Sequence, residues 1–148
     1  MFARIVACVD SSPTGRRSCR AGVEMAARFK CALTLLHVLP GKGRDANADL
    51  AALVPSAEDG RSLEDQLTDA RDEARTRGAA QVEVVMLHGD PLEQILAYLS
   101  HHKADLVVVG TRGLSRGSRL LLGSVSSRLV TEAPCPVLVV RAVASSPA

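Results

Sequence analysis

The chain has 148 residues, 47% of them hydrophobic and 23% charged, with a net charge of +2. That length suits one domain with a single core, and so mild a charge, with acids and bases interleaved, argues against a nucleic-acid partner. With no Trp, one Tyr and two Phe there is little on which bases or flavins can stack, and the apolar runs stay far below the ~20 residues that span a bilayer.

Residues 3–9 (ARIVACV) read as a buried strand, ended by Asp10 without the small-residue pattern of a cleaved leader, so a cytoplasmic protein is expected. A helix follows from Pro13 to Lys30, with Cys19, Val23, Ala26 and Ala27 on its apolar face. Residues 32–38 (ALTLLHV) form a second strand. The stretch from Pro40 to Gly60, rich in Gly, Ala and Asp, exceeds a usual connection and reads as a mobile connector before a functional lid, with a short helix weighed around Ala48 to Leu53. A helix begins at Asp59 or Ser62 and runs to about Arg77, striped by Leu63, Leu67, Ala70 and Ala74 and stopped by Gly78. Residues 82–87 are the third strand. Asp90-Pro91 is a cap followed by a first-turn proline, and Leu92, Ile95, Leu96 and Leu99 recur at helical spacing. Residues 105–109 give strand four, Ser124 to Glu132 a helix, and Val137 to Val140 strand five. Apolar strands separated by helices imply a mostly parallel α/β sheet covered on both faces. Ligands of such sheets bind beyond the carboxyl ends of the strands.

The most informative stretch runs from Val107 to Leu129. After a buried strand come Gly110, two residues, Gly113, nine residues and then Gly123-Ser124 opening a helix. Glycines let a ligand oxygen reach bare amides, and a helix start adds unpaired N–H groups with a partial positive charge. The hydroxyls of Ser115, Ser118, Ser124 and Ser126 lie close by in sequence, so a polyphosphate is the ligand the segment best suits. A Walker loop is excluded because Gly41-Lys42 is followed by Gly43, and the dinucleotide fingerprint is missing from the first strand.

This spacing, with Val9-Asp10-Ser11-Ser12 after strand one and Leu36-His37-Val38 ending strand two, resembles the ATP-binding branch of the universal stress protein family. The resemblance covers Ile5 to Arg141. It implies a single doubly wound domain over residues 1–141 with five strands in the order 3-2-1-4-5, while the tail over residues 142–148 is expected to be disordered as termini commonly are. It also implies nucleotide contacts from Asp10, Val38, Val109, Gly110, Gly113, Gly123, Ser124 and Val125. Asp10 would meet the ribose or the adenine amino group, or alternatively cap the helix near Pro13. Val38 would meet the base edge, and the loop would hold ribose and phosphates. The ligand so implied is ATP, with AMP or ADP as alternatives, and Mg²⁺ carried by the phosphates without a dedicated cage. Arg112, Arg116 and Arg119 add charge for phosphate or for solvent.

His37 and His88 lie near the ligand edge but lack an evident carboxylate partner, and no catalytic residue is assigned. The cysteines at 8, 19, 31 and 135 have no C-x-x-C spacing and read as buried, reduced thiols. The apolar last strand, Val137, Leu138, Val139 and Val140, would lie at a sheet edge, and the resemblance implies a homodimer through it. The functional expectation is a nucleotide-dependent regulatory or stress-response module. Its alternatives are a slow ATP-hydrolysing enzyme and a dimeric interaction protein that does not use nucleotide.

Overall fold

The computed structural model describes residues 2–10, 12–39, 60–111 and 122–141. The expectations for the connector, the tail, Gly113, Ser115, Ser118 and the three loop arginines lie outside those residues. Strands β1 (Arg4–Cys8), β2 (Ala32–Leu39), β3 (Gln81–His88), β4 (Leu106–Gly110) and β5 (Val137–Val140) form one sheet in the order β3-β2-β1-β4-β5. This is the order the resemblance implied, and every pairing is parallel. The chain passes from β1 outward to β2 and β3 and then returns to lay β4 on the other side of β1. The order therefore reverses between β1 and β4, where a parallel sheet leaves a crevice at its carboxyl edge.

Alternate side chains along each strand enter two cores. Ile5, Ala7, Val9, Leu33, Leu35, Leu106 and Val108 meet helices α1 (Pro13–Phe29) and α2 (Leu63–Thr76). Val6, Leu36, Val107 and Val109 meet helices α3 (Pro91–His101) and α4 (Ser124–Glu132). Leu99 and Leu129, which anchor the second core, are fully buried, each contributing about 2 kcal/mol of transfer energy.

The caps explain where the helices begin. Ser12 accepts from the Gly15 N–H, Ser62 from Asp65 and Asp90 from Glu93. Ser62 rather than Asp59 therefore opens α2, and Ser12 rather than Asp10 caps α1. Gly78 follows α2 at φ 103°, a left-handed conformation that favours glycine. β4 lies one residue later than the pattern predicts. Asp105 drops out of the strand because its carboxylate accepts from the N–H groups of Ala3 and Arg4, and Gly110 enters it opposite Val140. β3 departs from the apolar pattern as an edge strand, with Gln81, Glu83 and Met86 exposed. No helix among the described residues is long and apolar enough to cross a membrane.

Candidate functional site

At the crevice between β1 and β4 lies a cleft of about 290 Å³. Of the expected site residues, Asp10, Val38, Val109, Gly110, Gly123, Ser124 and Val125 all line it. The apolar part of its lining is formed by Cys8, Leu36, Val38, Ile95 and Val109, and the first turn of α4 borders it at Ser124, Val125 and Ser126. Three helices start at this cleft, since Thr14 and Gly15 of α1 and Pro91 of α3 also border it.

The three helix starts are not equivalent. Ser12 and Asp90 satisfy the opening amides of α1 and α3, whereas Gly123, the N-cap of α4, has no side chain to do so. The first turn of α4 thus presents its dipole and its N–H groups to the cleft, the arrangement that binds anions. Gly123 has φ −61° and ψ 164°, extended backbone open to any residue, so its value is the space and amides it leaves and not an unusual conformation.

Thr111 fixes this turn. Its N–H donates to the Val140 carbonyl, and its own carbonyl accepts from the Gly123 N–H and the Ser126 hydroxyl. The chain accordingly leaves β4 and returns to α4 at one point. Ser126, one of the four hydroxyls close to the loop in sequence, borders the cleft but is buried, and its hydroxyl donates to the Thr111 and Gly123 carbonyls. Its role is to hold the turn. Ser124, by contrast, is exposed on the rim of the cleft.

Gly110 also acquires a reason beyond ligand approach. A Cβ there would fall 2.7 Å from Thr14 Oγ1 and 2.9 Å from the Thr14 carbonyl carbon, so the end of β4 lies against the first turn of α1. Asp10 sits above that turn, where its Oδ1 accepts from the Ser12 N–H at 2.8 Å and from the Ser12 hydroxyl. Sequence reasoning missed Thr14, Gly15, Pro91 and Ile95. The proximity of Gly15 to the cap Ser12 was the available signal for the first two, while the α3 residues needed the strand order.

His37 is buried, and its Nδ1 lies 2.7 Å from the Val9 carbonyl, an acceptor, so Nδ1 carries the proton and donates. It ties the ends of β1 and β2 together, the hydrogen-bonding role expected for a strand-end histidine. Cys8, half-buried on the cleft wall, has its thiol pushed up to about 12, first by burial and then by Asp10 and Cys135. It stays a thiol at neutral pH, which disfavours nucleophilic use. Cys19 and Cys31 are buried, while Cys8 and Cys135, expected to be buried, are only partly so. Among the described residues no cluster of three or more His, Cys, Asp or Glu is arranged to hold a metal.

The chain matches the model of the universal stress protein family over residues 1–141. It is 30% identical to the Bacillus subtilis universal stress protein YxiE, over 95% of this chain and 100% of that one. Among solved structures it resembles the universal stress protein UspA from Lactobacillus plantarum, with 27% identity, a TM-score of 0.76 and 95% and 98% of the two chains covered. A universal stress protein solved in complex with cAMP is 26% identical, with a TM-score of 0.68 and 95% and 97% coverage.

Proposed function

The chain belongs to the universal stress protein family, and on that premise we propose that it binds an adenine nucleotide, ATP in the first instance, as the input of a regulatory module. The observation that carries this is the uncapped first turn of α4 facing the same cleft as Asp10 and Val38. With Val38 in β2, Asp10 following β1 and α4 entered from β4, the strand order β2-β1-β4 supports an anion at the amides of Ser124 and Val125 with Asp10 between it and Val38. Phosphate, ribose and base follow in that order. The cAMP complex of a relative supports an adenine nucleotide as the ligand class. Mg²⁺ would be held by phosphate oxygens and water, needing few protein ligands. Association of two copies through Val137, Leu138, Val139 and Val140 belongs to the same reading.

Titration with Mg-ATP, read by calorimetry, tests it, together with mass spectrometry of any nucleotide released from the purified protein. The wild type is expected to bind, and Gly123→Val to lose binding while staying folded, because its backbone suits valine and the β-branch covers the open amides. No binding by the wild type at millimolar Mg-ATP overturns the proposal. Undiminished affinity in Gly123→Val moves the phosphates elsewhere.

A further inference from the structure

Asp10 has two carboxylate oxygens, and the structure treats them differently. Oδ1 accepts from both the N–H and the hydroxyl of Ser12, while Oδ2 accepts nothing among the described residues. The Ser12 hydroxyl in turn accepts from the Gly15 N–H at 3.0 Å. A continuous chain of donors therefore runs from the first turn of α1 through Ser12 into Oδ1. Ser12 is 1% exposed, so its hydroxyl has no competing water.

Gly15 sets the height of the carboxylate. An ideal Cβ on Gly15 would lie 2.1 Å from Asp10 Oδ1 and 2.7 Å from both the backbone N and O of Asp10. Any side chain at position 15 must push Asp10 off the helix start. α1 has no acidic residue in its own first turn, so Asp10, reaching in from the end of β1, supplies the negative charge that complements the helix dipole.

Resting on the nucleotide-binding reading, we infer that Ser12 and Gly15 are positioning residues that fix Asp10 Oδ1 and leave Oδ2 as the one acceptor offered to a nucleoside donor. An ionised carboxylate accepts only, so the group it selects must carry an N–H or O–H. A carboxylate already held at one oxygen spends no rotamer freedom on binding at the other.

The test is a double-mutant cycle on Mg-ATP affinity, with thermal unfolding measured in parallel. Ser12→Ala is expected to weaken binding about fivefold in the wild-type background and less than about twofold when Asp10 is already alanine. Ser12→Thr, which keeps the hydroxyl, is expected to stay within about twofold of wild type. The fall in melting temperature should be larger in the wild-type background, where the bond from the hydroxyl to Asp10 Oδ1 is lost together with the cap. Gly15→Ala, which displaces Asp10 while improving helix propensity, is expected to weaken binding as far as Asp10→Ala does. If it does not fold, the Ser12 cycle decides alone. Equal losses in both backgrounds, or no loss from Ser12→Ala, overturn the inference and leave the nucleotide reading standing. A wild type that does not bind Mg-ATP removes both.

Discussion

At the scale of single residues, burial has set the chemistry of the thiols. Cys19 lies on the buried face of α1 with its thiol pushed up to about 11 by burial, reinforced by Glu73 and opposed by Arg20. A thiol raised in the folded state stays protonated there after the unfolded chain has lost its proton, so stability is complete below the ordinary value of 9.0 and declines as pH rises toward the folded value. Urea midpoints should fall between about pH 9 and 11, each raised thiol contributing on the order of 1 kcal/mol per pH unit. Cys19→Ala should make that decline shallower even if it lowers stability at pH 7. An unchanged slope would show that the thiol does not titrate differently in the two states. Asp10 carries the converse lesson about reading a sequence. Its place after an apolar strand marked it as either cap or contact, yet the cap is Ser12, and only the geometry of Gly15 shows how the two share one turn.

At the scale of elements, α4 is, among the described helices, the one with least support of its own. It has nine residues, a glycine cap without a side-chain bond and no acid in its first turn. Those three deficits are what open its amides to an anion, so intrinsic stability and binding compete for the same N–H groups. Gly123→Asp should raise the stability of the ligand-free protein by about 0.5 kcal/mol through capping and the dipole. It should weaken Mg-ATP binding by about tenfold or more, through occupied amides and repulsion of phosphate. Stabilisation with unaltered affinity would dissociate the two. The same element shows why so much was legible. The glycine spacing, the Asp90-Pro91 opening and the Leu-Ile stripe of α3 are local signals, and α3 and α4 begin at the residues they mark. The bonds of Ser126 to two carbonyls were not legible, because sequence proximity says nothing of which way a hydroxyl on the first turn points. Gly110 entering β4 was equally invisible, since the shift depends on Asp105 binding the amides of a strand a hundred residues away.

At the scale of the whole molecule, the outer edge and the cleft are mechanically joined. Among the described residues β5 pairs with β4 on one side only, and Leu138 is 37% exposed on it, while Val130 of α4 and Leu122 just before α4 are also open, at 49% and 40%. An apolar edge of this kind invites a second strand, and a second copy of the chain is the partner proposed. That edge also reaches the site, because the Val140 carbonyl holds the Thr111 N–H and the Thr111 carbonyl holds the start of α4. Ordering of β5 by a neighbour would steady the turn that offers its amides to the phosphates. Sedimentation velocity should accordingly find wild type as a dimer and Leu138→Lys as a monomer, since a lysine at the centre of the edge places like charges opposite each other across the seam. In the monomeric variant Mg-ATP affinity should drop about threefold to tenfold, although Leu138 does not line the cleft. A monomeric wild type would dispose of the interface, and a monomeric variant with full affinity would show that edge and cleft act independently.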